Sequence, residues 1–341
     1  MDLKTLDWKK LDFSYKKAPF RFHAHWKNGK WNDGKLVTDS EIVISESSTC
    51  IHYGQQCFEG MKAQRSKDGK VFLFRPHMNA RRFQQSAKRL MMKEVPEELF
   101  IKGVKEAVRA NIDYVPPYGL GASLYLRPLL IGVGENLGVR PAPEYLFIVF
   151  VVPVGPYFKE GFNPIKLKIE TYYDRAAPHG IGNVKAGGNY SAGLLPVMKA
   201  REEGFAEVVY LDAKEHKYFE EAGAANLFFV YKDGTMATPK SDAILRSITR
   251  LSVMDVAEED FNIKIEERPV ALTEIEDFAE AGACGTAAVI TPIGLMGHND
   301  KIYKFYSGGK EPGPITTKIY KQLTGLQVGD IEDTRGWLEQ V

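Results

Sequence analysis

The densest concentration of unusual residues is the run Gly180-Ile181-Gly182-Asn183-Val184-Lys185-Ala186-Gly187-Gly188-Asn189-Tyr190-Ser191. Four glycines fall within nine residues, which costs backbone entropy, so some feature must require them. Two requirements fit: positive φ angles, or close approach of the backbone to a ligand. A single lysine, Lys185, lies inside the run just before a helix. A lysine amine kept out of water is a nucleophile and a base, whereas one in an ordinary glycine-rich turn is a solvated charge. Taken alone, the segment favours the second reading.

Other strings place reactive side chains beside turns and helix starts. Leu73-Phe74-Arg75-Pro76-His77-Met78-Asn79-Ala80-Arg81-Arg82-Phe83 puts two arginines on a helix. An arginine fork donates two hydrogen bonds and stays charged, which suits a phosphate; the plain alternative is a basic helix face. Glu220-Glu221-Ala222-Gly223-Ala224-Ala225-Asn226-Leu227-Phe228 carries adjacent glutamates that, without context, read as a solvated turn. Ser247-Ile248-Thr249-Arg250 opens a helix, where backbone amides favour an anion. Gly285-Thr286-Ala287-Ala288 adds a hydroxyl. Nearer the N-terminus stand Ile51-His52-Tyr53-Gly54-Gln55-Gln56-Cys57-Phe58-Glu59-Gly60-Met61-Lys62 and Ser123-Leu124-Tyr125-Leu126-Arg127-Pro128-Leu129.

These strings, in this order and from about His23 to Trp337, resemble the branched-chain aminotransferases of the fold-type IV pyridoxal phosphate enzymes. The matching string around the lysine is Lys185-Ala186-Gly187-Gly188-Asn189-Tyr190. The resemblance implies that Lys185 carries pyridoxal phosphate and is the catalytic base. It implies Arg82 as a phosphate ligand, with Ile248, Thr249 and Thr286 completing the phosphate cup. Glu221, not Glu220, would pair with the cofactor's pyridine nitrogen, and Tyr190 would lie beside the ring. Tyr53, Phe58, Tyr125 and Tyr190 would wall an aliphatic side chain. Tyr125 and Arg127 would help at the carboxylate end, and the amides of Thr286 and Ala287 would take the substrate carboxylate. The implied reaction is transamination of L-leucine, L-isoleucine and L-valine with 2-oxoglutarate. The implied fold is mixed α+β, with two domains, the active site at their interface and a homodimer whose second subunit lends a loop. Animal members carry a Cys-x-x-Cys pair where this chain has Ala288 and Thr291, so the likeness is to the bacterial form and no thiol switch is expected.

Lysine and glutamate are shared with two rivals of the same fold type, a D-amino-acid aminotransferase and an aminodeoxychorismate lyase. The long N-terminal arm and the Tyr125/Arg127 string favour the branched-chain reading. A cofactor binder without catalysis and a glycine-loop nucleotide binder are weaker rivals. No Gly-Lys-Ser/Thr string marks a P-loop, and Gly132-Val133-Gly134 meets its next glycine, Gly138, one residue too late for a dinucleotide fingerprint. No His-Glu-x-x-His occurs, and Cys50 and Cys57 are too far apart for a zinc knuckle, so no metal is expected.

The elements that must position these groups mix irregularly along 341 residues, a length for which two domains are the default. Asn28-Gly29 predicts a hairpin between His23 and Leu36. Strands are expected at Phe58–Arg65, Lys70–Phe74, Ala122–Ile131 and Tyr145–Val152, with weak alternation at Glu41–Ser45, and helices at Met78–Leu90 and Glu97–Asn111. Pro and Gly then cluster at 156–164, the expected linker between a domain of residues 1–155 and one of residues 165–341 that carries the lysine. In the second part, helices are expected at Ser191–Glu203, Ile248–Glu259, Thr273–Glu280 and Ile315–Leu323. Strands are expected at Ile165–Tyr173, Val208–Leu211, Asn226–Tyr231, Ile263–Arg268 and Gly285–Thr291. Apolar residues make up 44% of the chain and the formal net charge is +1, which supports neither a nucleic-acid nor a membrane-surface partner. No run approaches the roughly 18 apolar residues of a membrane span. Three sparse cysteines and an N-terminus without a signal-peptide pattern lead to the expectation of a cytoplasmic enzyme acting on small amino and 2-oxo acids.

Overall fold

Asn28 and Gly29 both adopt left-handed backbone (φ 53° and 83°) and turn β1 (Arg21–Lys27) back onto β2 (Lys30–Trp31), as the Asn-Gly pair predicts. The chain, seen in a computed structural model that describes residues 3, 6–155 and 162–341, continues through β3 (Lys35–Val37), α1 (Thr49–His52), β4 (Gln56–Phe58), β5 (Met61–Arg65) and β6 (Val71–Phe74). Next come α2 (Pro76–Arg89), α3 (Glu97–Ala110), β7 (Ser123–Val133) and β8 (Glu144–Val154). Beyond the segment 156–161, where most of the expected linker lies outside the described residues, come β9 (Ile165–Ile169), α4 (Gly187–Ser191), α5 (Leu194–Glu202), β10 (Glu207–Leu211), β11 (Phe219–Ala222) and β12 (Ala225–Tyr231). The remainder is β13 (Met236–Pro239), α6 (Ile248–Asp255), β14 (Ile265–Arg268), β15 (Phe278–Gly285), β16 (Val289–His298), β17 (Lys301–Lys304), α7 (Pro314–Val328) and β18 (Leu338–Gln340).

The first unit comprises Met1–Lys159, Val184–Gly187 and Gly325–Val341. Its sheet runs β18-β6-β5-β7-β8-β1-β2, with β3 on β1 and β4 on β7. Alternation along β7 and β8 sends Leu124, Leu126, Leu130, Phe147, Val149 and Val151 to one face. There they meet Phe83 of α2 and Phe100 and Val104 of α3, with the rings of Phe83, Phe100 and Phe147 mutually within 5.8 Å. The same alternation sends Tyr125 and Arg127 to the opposite face. Pro76 opens α2 at its first position, where its missing N–H costs nothing. The buried stripe of α2 contains Asn79, Arg82 and Ser86 as well as Ala80 and Phe83, so a polar line runs along a helix face turned inward.

The second unit comprises Glu160–Asn183 and Gly188–Thr324. Its sheet runs β11-β10-β9-β16-β15-β12-β13-β14, with β17 on β16. Because β11 also pairs with β12, six strands close into a ring. Leu167, Ile169, Val209, Leu227, Phe229, Ala281 and Met296 fill its core.

The expected division of the chain needs two corrections. The lysine segment Val184–Gly187 belongs to the first unit, because Ala186 bridges Cys57 and the Phe58 N–H donates to the Lys185 carbonyl at 3.0 Å. The C-terminal stretch belongs there too, because β18 extends the sheet beside β6. Local differences also have causes. Glu220 and Glu221, which without context read as a solvated turn, lie in the fully buried strand β11. The helix expected at Ser191–Glu203 breaks at Ala192-Gly193 into α4 and α5. The helix expected at Thr273–Glu280 is a 3-10 turn over Leu272–Asp277, after which Phe278 already starts β15. The strand expected at Gly285–Thr291 folds back: Thr286, Ala287 and Ala288 form the turn between β15 and β16. Glu41–Ser45 forms no strand.

Candidate functional site

In the first unit, Lys185 is held by its backbone at both ends of its peptide. Its N–H donates to Ser86 Oγ at 3.1 Å, and its carbonyl accepts from Phe58. A Cβ on Gly187 would lie 1.7 Å from Gln56 Nε2, the end of a flexible side chain, whereas one on Gly182 would lie 2.1 Å from the backbone carbonyl oxygen of Ala243, so Gly182 is the glycine that close approach requires. None of the run's four glycines has positive φ, which removes the first of the two requirements. Lys185 Nζ sits 4.9 Å from the Phe58 ring centroid. Burial, then the nearby Arg82 cation, pull its proton affinity down from 10.5 to about 8, with Glu59 and Tyr125 opposing and Arg127 assisting. A lysine at about 8 keeps a substantial neutral fraction near physiological pH, as a base or nucleophile must.

Arg82 is buried on α2, and its fork meets a carboxylate of its own unit. Nε donates to Glu59 Oε1 at 2.8 Å, and Nη2 donates to Oε2 at 2.7 Å. Glu59 is fully buried and also accepts from Asn79 Nδ2 at 2.8 Å and from the Gly60 amide at 3.3 Å. The two-bond fork that the sequence offers to a phosphate is therefore directed to Glu59. On the far face of β7, Arg127 stacks 4.7 Å from the Phe58 ring centroid and 5.3 Å from that of Tyr125, and donates to the Tyr125 hydroxyl at 3.2 Å. Arg127 Nε is buried without a hydrogen-bond partner among the described residues. Gly60 makes room for this group, since a Cβ there would meet the Tyr125 oxygen at 2.2 Å. Phe58, Tyr125, Arg127 and Lys185 thus converge. Tyr53 stands apart: it is 46% exposed and its hydroxyl donates to the Leu137 carbonyl.

In the second unit, Glu221 pairs with Arg175 (Nη2 to Oε2, 3.0 Å) and accepts from the Leu245 amide. Glu220 points to the other face of β11 and accepts from Ser241 at 2.8 Å, and burial pushes its carboxyl up. Asn226 lies directly across from Glu221 in the β11–β12 ladder, and its Oδ1 is buried without a partner among the described residues. At α6, Ser247 caps the helix by accepting from the Arg250 amide at 3.2 Å. The first-turn amides of buried Ile248 and Thr249 have no helix carbonyl to bond. Thr286 and Ala287 lie on the β15–β16 turn, which ends at Val289 with a left-handed φ of 64°, a strained conformation for a β-branched residue. Tyr190 is on α4, where Asn189 ties the segment down by donating to the Ile181 carbonyl at 2.7 Å. The sequence alone singles out none of Glu59, Ser86, Arg175 and Asn226. Glu59 and Asn226 lie inside the family-like strings, but Ser86 and Arg175 carry no local signal.

Among the described residues no cluster of His, Cys, Asp and Glu could hold a metal ion, and no helix is long and apolar enough to cross a membrane. The family pattern of amino-transferase class IV matches residues 56–295. The branched-chain-amino-acid aminotransferase of Haemophilus influenzae is 55% identical over 99% of this chain and 100% of its own length. The crystal structure of the branched-chain amino acid aminotransferase of Escherichia coli superposes with a TM-score of 0.80, at 28% identity, over 95% of this chain and 99% of that one. The T.th. branched-chain amino acid aminotransferase complexed with N-(5'-phosphopyridoxyl)-L-glutamate does so with a TM-score of 0.77, at 27% identity and over the same shares.

Proposed function

The chain belongs to the class IV aminotransferases, and from that premise we propose that it carries pyridoxal phosphate on Lys185 and exchanges amino groups between L-leucine, L-isoleucine or L-valine and 2-oxoglutarate. The observation that carries this reading is Lys185 itself, brought down to about 8 between the Arg82–Glu59 pair and the Phe58, Tyr125 and Arg127 side chains. The residues present fit the cofactor. An Asn226 oxygen that is buried and unpartnered among the described residues lies across from Glu221, and the helix-start amides of Ile248 and Thr249 suit a phosphate. When bound, the cofactor supplies an aldehyde for linkage to amines and a ring that draws electrons from the substrate Cα.

Lys185 Nζ holds the cofactor and, once released, takes the proton from the substrate Cα. Glu221 would hold a proton at the ring nitrogen, and Tyr190 would line the ring. The amides of Ile248 and Thr249, the Thr286 hydroxyl and the N–H groups of Arg82 outside its Glu59 fork bind the phosphate. The Thr286 and Ala287 amides orient the substrate carboxylate, while Phe58 and Tyr125 exclude water around the aliphatic chain. The unpartnered Arg127 Nε suits the second carboxylate of 2-oxoglutarate, a reading supported by the glutamate adduct of the T.th. enzyme.

The working unit is a homodimer in this reading. Leu194, Leu195 and Met198 of α5 are each more than half exposed, as are Leu137 and Val139 beside Tyr53, and such apolar surface favours a partner. Tyr53 then serves the site of the second copy, and light scattering that finds a monomer would overturn this. The free thiols of Cys50, Cys57 and Cys284 support a cytoplasmic setting. Lys185→Ala is expected to abolish turnover together with the visible absorbance of the bound cofactor, and retention of that absorbance sinks the assignment. A panel of L-leucine, L-valine and D-alanine with 2-oxoglutarate tests the substrate class, and preference for D-alanine would move the reading to a D-amino-acid aminotransferase.

A further inference from the structure

Arg175 has a buried guanidinium whose partners all converge on one carboxylate and its surroundings. It reaches Glu221 at 3.0 Å, donates to the Ala243 carbonyl at 2.8 Å and donates to the Gly182 carbonyl at 3.2 Å. Its side chain is 6% exposed and that of Glu221 2%. The stretch it clasps is close-packed, since a Cβ on Gly182 would lie 2.1 Å from the Ala243 carbonyl oxygen. Leu245, two residues beyond Ala243, donates its amide to the other Glu221 oxygen. On the same face of the sheet, across from Glu221, the Asn226 oxygen is buried and lacks a partner among the described residues.

A carboxylate that must leave a proton on a ring nitrogen cannot be the stronger base of the two. Burial by itself makes a carboxylate more basic, whereas an adjacent guanidinium makes it less so. We propose that Arg175 is a positioning residue that, by pairing with Glu221, keeps the shared proton on the cofactor's ring nitrogen rather than on the carboxylate. No other atom moves: one proton lies on nitrogen or on oxygen, and Arg175 sets which. The inference rests on the cofactor reading above.

The test is the nitrogen NMR shift of bound pyridoxal phosphate labelled at the ring nitrogen, in wild type, Arg175→Gln and Arg175→Lys. Wild type and Arg175→Lys are expected to show a protonated ring. Arg175→Gln is expected to move toward the neutral ring, with kcat down roughly 10- to 100-fold and KM changed less, the usual scale for removing the partner of a direct ligand. A purely structural clasp predicts the reverse: the lysine variant cannot reach two carbonyls and the carboxylate together, so it would fail along with the glutamine variant. An unchanged ring signal in Arg175→Gln, or failure of lysine to preserve it, overturns the proposal. If the glutamine variant does not fold, the lysine variant decides by titration. Raising the pH should neutralise the lysine and move the ring signal there, but not in wild type, whose arginine stays charged. A lysine variant that titrates like wild type refutes the idea. Wild-type protein that binds no pyridoxal phosphate refutes the cofactor reading as well, so the two failures are distinguishable.

Discussion

The two units each bury an arginine–glutamate pair, and the pairs are built in opposite senses. In the first, the arginine is the residue suited to the ligand, and Glu59, fully buried, is its anchor. In the second, the glutamate is the residue suited to the ligand, and Arg175 is the anchor. The anchors differ in how they are secured. Glu59 accepts from Arg82 twice and from Asn79 and Gly60, all within two short stretches of chain. Arg175 gathers two carbonyls from separate loops. An anion anchored by amides and a cation anchored by backbone carbonyls achieve the same end, which is to fix a charged group in a dry site without leaving it unpaired. The difference teaches that the charge suited to a ligand does not by itself define either pair; its buried counter-ion fixes its direction and its basicity.

The strongest test of that comparison is Glu59→Ala. It takes away the buried carboxylate that the Arg82 guanidinium pairs with, so stability in urea should fall by about 3–5 kcal/mol. A loss below about 1 kcal/mol, the scale of an exposed pair, would break the parallel with a buried anchor. A smaller effect comes from Arg82→Lys, which keeps the charge but has too few N–H groups to serve both Glu59 and a phosphate. Affinity for pyridoxal phosphate should drop roughly 10-fold, while affinity for pyridoxal, which has no phosphate, stays the same. Equal losses for both would show that Arg82 serves the fold and not the phosphate.

A third test concerns Lys185, which sits within reach of both charges of the first pair. Its folded value of about 8 lies below the ordinary 10.5. Below pH 8 the folded protein therefore carries the proton at full cost. Between 8 and 10.5 the unfolded chain holds a proton that the folded chain has released, so apoprotein stability rises with pH, and it levels off above 10.5. The melting temperature of wild-type apoprotein should gain on that of Lys185→Met across this window and no further. A gap that stays constant from pH 7 to 11 would mean that Lys185 titrates as a solvated lysine.

Much of the frame was legible because its signals are local. Asn28-Gly29 forms a turn that needs two left-handed residues, and Pro76 opens a helix wherever the chain places it. Lys185, Glu221 and Arg82 could be singled out because several strings occur in one order. Their counter-ions could not, since a sequence does not say which opposite charge shares a dry pocket with Arg82 or Glu221. The strand β11 misled for the same reason. Glu220 and Glu221 look solvated until Ser241 and Arg175, from other parts of the chain, cover one on each face. The turn at Thr286 was hidden because Val289, a strand-forming residue, takes the left-handed position that glycine usually marks.

One feature of the first unit bears on how the protein is born. Its sheet ends on β18, whose Leu338, Glu339 and Gln340 pair with Phe74, Leu73 and Phe72, and Val341 packs on its core. The unit whose strands are made first therefore cannot be completed until β18 has emerged, while the ring of six strands in the second unit is already synthesised. At roughly 5–20 residues per second, the edge of β6 waits on the order of ten seconds or more for its neighbour. Over that interval it is an open strand edge in a growing chain, and a C-terminal truncation of a few residues would make that state permanent.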